Sequence, residues 1–215
     1  MVDIFDEVDE ELRAERTQQL LKRYGGLIVA IALLIVGAAA GWQGWRWYEA
    51  KQDRAAAVEF LGAMSLASQP ANRPAAIAAF NGLANAAPEG YRTLARLREA
   101  ALKADAGDLP GASALWDEVA GDSSADPLLR DLASLMWAEH QIDTGDPALL
   151  QARLKPLAAP DNPWHALAEE QLALLDLRQG HADAAKTTLH RLAQDTTAPN
   201  GVRGRANALL QRLGG

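Results

Sequence analysis

Residues 138–157 read AEHQIDTGDPALLQARLKPL, and Gly145 lies inside a pattern that occurs twice more in the chain. Gly107 and Gly180 lie 38 residues before it and 35 residues after it. Each glycine has an alanine seven residues earlier and apolar residues five, nine and twelve residues later. We call these the register positions: Ala100, Ala112, Trp116, Val119, Ala138, Leu150, Leu154, Leu157, Ala173, Ala185, Leu189 and Leu192. Self-similarity at this period predicts a stack of similar supersecondary units.

Each unit is predicted to be a pair of helices, because its apolar residues recur at helical spacing. The glycine is expected to end the first helix as a C-cap or turn residue. Pro127, Pro163 and Pro199 recur every 36 residues. A proline is tolerated at the first position of a helix, so these three are expected to start the next first helix. Asp126 and Asn162 precede two of them as candidate N-caps.

The pattern extends beyond these units on both sides. An earlier unit would take residues 54–68 as its first helix, and its second helix repeats the apolar spacing. A single closing helix would follow Pro199. The residues that carry these two predictions are Ala76, Phe80 and Leu83 for the early unit, and Val202, Ala206, Leu209 and Leu213 for the closing helix.

The repeat resembles the tetratricopeptide repeat, in which a small residue, a glycine, an alanine and large apolar residues follow one another at fixed offsets. Its period is longer than the usual one, and of the signature aromatic residues only Trp137 is present. The resemblance implies a divergent helical-hairpin solenoid of about three and a half units, which is typically a recognition surface and not an enzyme. The binding surface is expected on the concave face, lined mainly by the first helices.

Residues 24–45 contain no charged side chain. As a helix, this segment is long enough to cross a hydrocarbon core of about 30 Å. Trp42, Trp45, Trp47 and Tyr48 crowd the second boundary, as expected at a membrane interface. We therefore predict a transmembrane helix over residues 24–46. The alternatives are a long buried core helix and a signal peptide cleaved near residues 38–40. The acidic segment before the span disfavours cleavage, because a signal peptide begins with positive charge.

The charge bias across the span gives only a weak orientation. Four basic residues precede the span closely and three follow it, so the positive-inside rule leans slightly toward a cytoplasmic N-terminus. Residues 1–23 are predicted to be an acidic helical tail. On this basis the expected architecture is all-α: a tail, a single transmembrane helix, and a tetratricopeptide-like solenoid over residues 50–215.

Two candidate docking faces for partners precede the repeats. In the span, small residues recur on one helical face, where another helix could approach closely. In the tail, apolar residues fall on one narrow face. The alternative for the span is that small residues are simply common in membrane helices. The alternative for the tail is a solvated juxtamembrane helix without a docking role. The small-residue stripe consists of Gly26, Ala30, Gly37, Gly41 and Gly44, and the tail face consists of Ile4, Phe5, Val8 and Leu12.

Composition and the absence of known motifs argue against catalysis, metal binding and nucleic-acid binding. The chain has no cysteine, and its net charge of −7 disfavours nucleic-acid binding. No phosphate loop, nucleophile elbow or metal-ligand spacing involves its four histidines. His140 is expected to pack late in a first helix and the other histidines to face solvent. Glu169 and Glu170 are expected on a solvated face. We predict no catalytic, cofactor, metal or small-molecule site; a pocket with several perturbed titratable groups would favour an enzyme instead.

The complete layout resembles the bacterial YfgM-like family. The residues that carry this resemblance are the acidic tail VDIFDEVDEELR at 2–13, Tyr24-Gly25-Gly26, and the Trp-Tyr boundary before the repeats. The resemblance implies an inner-membrane protein with a cytoplasmic tail and periplasmic repeats, associated with the SecYEG translocon and a PpiD-type periplasmic chaperone. The alternative hypothesis is a membrane-anchored scaffold for envelope-assembly or cell-division proteins.

Overall fold

The computed structural model describes the backbone of residues 4–214 and the side chains from Arg23 onward, except that of Ile28. Over this range the chain is helical and contains no strand, so the all-α prediction is confirmed. The α-helices in this range are α1 (Ile4–Ala67), α2 (Arg73–Ala86), α3 (Glu89–Asp105), α4 (Leu109–Gly121), α5 (Pro127–Gln141), α6 (Pro147–Leu157), α7 (His165–Arg178), α8 (Ala182–Gln194) and α9 (Asn200–Arg212). A short 3-10 helix, Pro70–Asn72, precedes α2.

The chain divides into two compact units, residues 1–52 and residues 53–215. In the first unit, α1 carries the one stretch in the described part of the chain that is long and apolar enough to cross a membrane. Its apolar side chains, such as those of Leu33, Leu34 and Val36, are exposed in the isolated chain. Such a surface suits lipid as solvent. The residue boundaries of the predicted tail, span and repeat domain stay predictions.

The second unit is a stack of helix pairs in which consecutive helices pack against each other. First helices also contact one another, α3 with α5, α5 with α7, and α7 with α9. All twelve register positions are at most 3% exposed, so the repeat pattern identifies the core correctly. The early unit is present as well: Phe80 is fully buried in α2, and its ring meets that of Phe60 in α1 edge to face at 5.3 Å. The first helix predicted for residues 54–68 is therefore the C-terminal end of α1.

The repeat glycines end the first helices for two different reasons. Gly107 and Gly180 have φ angles of 86° and 82°, the left-handed conformation that glycine adopts without steric cost. Gly145 does not have a positive φ and lies in the turn between α5 and α6, so of the two predicted roles it has that of a turn residue. Its N–H donates to the carbonyl of Gln141 at 2.7 Å, and a Cβ on Gly145 would lie 2.9 Å from that oxygen. Glycine is needed at this position for close approach.

The prediction that a helix starts at the repeated proline is correct at Pro127. At Pro163 and Pro199 the helix starts one or two residues later than predicted. Pro127 is the first residue of α5, and the Asp126 carboxylate accepts the N–H of Leu128 at 2.8 Å. Asn162 instead accepts the N–H of Trp164 at 2.8 Å, which forms a turn through Pro163 and delays α7 to His165. Pro199 precedes α9 as its N-cap residue.

The closing helix α9 forms as predicted, with small differences at its apolar positions. Val202 and Ala206 are buried, and Leu209 is half-buried. Leu210 is the third buried residue, whereas Leu213 follows the helix as its C-cap. The helix packs its apolar face against α8 and part of α7, and so covers one end of the stack.

Candidate binding groove

A groove of about 640 Å³ runs between three helices of the second unit. The lining residues lie on α5, α7 and α9, which are two first helices and the closing helix, except for Ile142, the C-cap residue of α5. These are the helices that the repeat pattern predicts to line the binding surface; binding itself stays a prediction. The lining residues are Leu135, Glu139, Ile142, Leu167, Glu170, Gln171, Leu174, Arg205, Ala208, Leu209 and Arg212.

Contacts at both ends of α7 fix this helix against α5. At its C-terminal end, the Arg178 guanidinium donates to the main-chain carbonyls of Ile142 at 2.5 Å and Gly145 at 2.7 Å. Near its start, the Trp164 indole N–H donates to the carbonyl of Leu128 at 3.1 Å. The Arg178 bonds satisfy carbonyl groups that follow the C-terminal end of α5, where a helix leaves its carbonyls without internal partners. The groove therefore has a wall of fixed geometry on this side.

The groove surface is mainly apolar, and its volume lies in the range of about 300–1,000 Å³ that is usual for ligand pockets. Leu135 comes from α5 and Ile142 from its C-cap, and Leu167 and Leu174 come from α7. Leu209 of α9 faces them across the groove. Such a surface favours apolar side chains in whatever occupies it.

Glu170 is a buried charge at the base of the groove, which contradicts the prediction that it lies on a solvated face. It is 2% exposed, and Arg205 of α9 binds both carboxylate oxygens, with Nε at 2.6 Å and Nη2 at 2.5 Å. These hydrogen bonds raise the pKa of Arg205. Adjacent helical residues point about 100° apart, so one of two neighbouring glutamates faces inward. Glu169 points elsewhere and pairs with Arg191 at 2.8 Å, which likewise raises the pKa of Arg191.

The polar groups of the groove leave it without net charge. Glu139 and Arg212 join Glu170 and Arg205 along its walls, two acidic and two basic residues. Gln171 is 7% exposed and also lines the groove. Among the described residues no hydrogen-bond donor reaches its buried Oε1.

Sequence reasoning missed the groove because its buried polar residues, Glu170 and Gln171, occupy positions at which the repeats differ. Ten residues before the glycine stand Leu97, Leu135 and Glu170. Nine residues before it stand Arg98, Met136 and Gln171. A search for similarity passes over such positions. The substitution of a leucine by Glu170 at a core-facing position is the signal that could have identified a buried ion pair.

The predicted docking faces lie outside the groove. The small-residue stripe of Gly26, Ala30, Gly37, Gly41 and Gly44 is exposed, and a Cβ on any of its four glycines would meet no atom within 4 Å. The stripe is thus open to a partner, and docking there stays a prediction. The side chains of the tail face, Ile4, Phe5, Val8 and Leu12, lie outside those that the structure describes.

The histidines fall mainly where the sequence placed them. His140 packs late in α5 with its ring 4.6 Å from that of Trp116, and its Nδ1 lies 2.9 Å from the carbonyl of Met136. His181 and His190 are exposed, but His181 precedes α8 as its N-cap residue. His165 is half-buried, against expectation. From Arg23 onward, no group of three potential ligands forms a metal site.

Stacked helix pairs with a neutral apolar groove define the class of α-helical interaction modules. The family model for the tetratricopeptide repeat-like domain matches residues 18–132, more than half of the chain. The chain therefore belongs to the tetratricopeptide repeat-like family. The match begins before the apolar span and ends within α5. No curated protein and no solved structure matches the chain significantly.

Proposed function

We propose that the chain is a membrane-anchored scaffold that assists protein export at the SecYEG translocon together with periplasmic chaperones of the PpiD type. The observation that carries the proposal is the union, in one chain, of a candidate membrane span and a tetratricopeptide repeat-like domain. The family match supports protein–protein interaction as the role of the repeats. The choice of translocon and chaperone rests on the resemblance of the tail and span to the YfgM-like family.

The proposed topology is a single uncleaved span in the bacterial inner membrane, with residues 1–23 in the cytoplasm and the repeats in the periplasm. Protease added to spheroplasts should digest the repeats and leave the tail with its span. Lysed spheroplasts serve as the control in which both sides are accessible. Repeats that survive in intact spheroplasts and are digested only after lysis would contradict this orientation.

The proposed docking elements for the translocon are the small-residue stripe and the apolar tail face. Gly41→Leu places a bulky side chain on the stripe and should reduce co-purification of the translocon after crosslinking, because close helix approach needs small residues. Membrane insertion should persist, since leucine is favourable in lipid. Ala39→Leu is the matched control, because residue 39 lies on the opposite face of the helix.

A replacement of the whole span by an unrelated one tests the same proposal more strongly. Equal recovery of the translocon with the foreign span would remove the docking role of the stripe. If the native chain recovers neither SecYEG nor a PpiD-type chaperone, and recovers cell-division or envelope-assembly proteins instead, the proposed function is wrong.

A further inference from the structure

The two ends of the helical stack differ in the side chains that they expose. The last helix, α9, exposes polar side chains such as those of Asn207 and Gln211. The first stack helix is the part of α1 over residues 53–67, and its Val58 and Leu61 side chains are 71% and 67% exposed. They are the most exposed large apolar side chains in the described part of the second unit. Because the terminal units of a helical solenoid need a polar outer face, this apolar face indicates a partner.

The exposed face lies on the side of the first stack helix that the repeats do not cover. On the covered side, Ala56 and Ala63 are buried and the ring of Phe60 meets that of Phe80. On the other side, exposed residues are separated by three, four and three positions, which is the spacing of the a and d residues of a coiled coil. A Cβ on the glycine of this set would meet no atom within 4 Å, so the face is open. We call these four residues the seam: Ala55, Val58, Gly62 and Ser65.

The charges beside the seam complement those of a second copy of the chain. In the register that the seam sets, Arg54 occupies position g and Glu59 occupies position e. In a parallel coiled coil, a g residue faces the e residue five positions further along the other helix, and opposite charges there form salt bridges. Two-fold symmetry forms such a pair twice. Both side chains are exposed, and within the described part of the chain neither forms an ion pair.

The membrane anchor favours this parallel pairing. The candidate span and the seam belong to one helix, α1, so two copies inserted in the same membrane run in the same direction. Ala55 and Gly62 are small enough for two helices to approach closely, but a seam of two heptads is too short to associate strongly between free molecules. Tethering to one membrane raises the effective concentration of each copy for the other. A lipid chain could cover Val58 and Leu61, but it would not use the self-complementary charges beside them.

We propose that two copies of the chain pair through residues 54–65 as a parallel two-stranded coiled coil. Val58 packs on its two-fold mate, Leu61 covers the edge of the seam, and Arg54 binds Glu59 of the partner subunit. This inference goes beyond the function proposed above, and it leaves the small-residue stripe of the span to the translocon. As a consequence, one assembly contains two copies of the groove between α5, α7 and α9.

The absence of cysteine from the chain makes the seam testable by disulfide formation. Val58→Cys in the full-length chain, oxidised in the membranes of the cells that produce it, should give a disulfide-linked dimer. The d residues of a parallel pair meet across the two-fold axis, within the Cα separation of about 4.4–6.8 Å that a disulfide spans. Asp53→Cys is the matched control, because residue 53 is also exposed but lies on the side of the helix away from the seam. The seam cysteine should give several-fold more dimer than the control.

Reversal of the charges tests the register. Arg54→Glu and Glu59→Arg, each combined with Val58→Cys, place like charges opposite each other in a homodimer and should lower its yield. When these two variants are produced together with different affinity tags, every pair across the seam joins opposite charges. The mixed dimer should then exceed either homodimer by about 3–10-fold, the effect of two exposed ion pairs. Because the changed residues are exposed, thermal melts followed by circular dichroism should match that of the native chain.

Three results would overturn the inference: equal dimer yields from Val58→Cys and Asp53→Cys, equal yields of mixed and like dimers for the charge variants, or a disulfide-linked product that contains another protein in place of a second copy. The last result would assign the exposed face to a different subunit. Co-purification of the translocon is measured separately with the native chain. Its failure would contradict the proposed function and leave the dimer inference standing.

Discussion

On the first helices, register positions and groove positions stand side by side but differ in how much the residue changes from repeat to repeat. Seven residues before each glycine, Ala100, Ala138 and Ala173 are identical and fully buried. Six residues before it, facing the groove in the second and third units, the chain has Ala101, Glu139 and Leu174. Positions that repeat are those at which helices pack against each other. Positions that differ are those that give the groove its own chemistry.

This difference leads to an expectation about energetics. Substitution at a register position should lower stability strongly, because core side chains are close-packed and cavities are costly. Substitution in the groove should lower stability less than substitution at a register position, because the groove is open to solvent and its wall contains a charged pair in place of close-packed apolar side chains. The predictions below test this contrast.

The largest effect is expected at Trp116, the bulkiest register residue, which is 0% exposed. Trp116→Ala should lower the free energy of unfolding by about 3–5 kcal/mol, because a large cavity forms beside His140. The measurement is urea unfolding of the full chain in nanodiscs, followed by circular dichroism. Trp116→Phe should cost clearly less, since no acceptor among the described residues reaches the buried indole N–H, and its removal offsets part of the lost packing. A loss below about 1 kcal/mol for Trp116→Ala would contradict the assignment of this position to the core.

An intermediate effect is expected at the ion pair of the groove. Arg205→Ala should lower the free energy of unfolding by about 1–3 kcal/mol, because it leaves the buried Glu170 carboxylate without its two hydrogen bonds. The side chain of Arg205 is 56% exposed, so water limits the loss. Glu170→Leu should change stability by less than about 1 kcal/mol, because replacing a buried charge by a packed apolar residue is often neutral. Leu97 and Leu135 already occupy the same place in the other units.

The comparison of these two variants is decisive for the role of the pair. If Glu170→Leu lowers the free energy of unfolding more than Arg205→Ala does, the Glu170 carboxylate must stabilise the fold through contacts other than the one with Arg205. The double variant, with both changes, should resemble Glu170→Leu alone. Urea unfolding under the same conditions gives all three free energies.

The sequence predicted the repeated part of the molecule well, because burial by helix packing leaves a periodic trace in the chain. It could not place Glu170, since the choice of which of two adjacent glutamates faces inward depends on the position of α9, and Arg205 lies 35 residues away. Gly145 shows a second limit: the same residue recurs for a different geometric reason, which the spacing does not distinguish.

Some signals were present in the sequence and were not used. Asp108 and Asp146 follow Gly107 and Gly145 directly and cap α4 and α6, where their carboxylates accept main-chain N–H groups at 3.0 Å and 2.7 Å. An aspartate just before a helix is a standard capping residue. Local chemistry of this kind is readable from one repeat alone, whereas the groove is formed by three helices that are distant in sequence.

The smallest effect is expected in two of the loops between units, which repeat both in chemistry and in their distance from the glycines Gly107 and Gly180. Asp122 accepts the Ser124 hydroxyl at 2.7 Å, and Asp195 accepts the Thr197 hydroxyl at 2.6 Å. These side-chain hydrogen bonds are the main cause that lowers the pKa of each carboxyl. A lowered pKa means that the folded state favours the ionised form. The resulting stability is present above the pKa of the unfolded chain, about 3.9, and is lost as the pH falls through the folded-state value.

Ser124→Ala and Thr197→Ala should therefore lower the urea midpoint slightly at pH 7, and the difference from the native chain should shrink as the pH falls below about 4. Both loops are at the surface, so each effect should be smaller than that of Arg205→Ala. Asp122→Asn is the control, because it removes the titrating group and should remove the pH dependence contributed by that loop. A difference that stays constant or widens on acidification would show that the hydroxyls act through packing and not through the carboxylates. In that case the loops would belong with the register positions, and the contrast between packing and local chemistry would be confined to the groove.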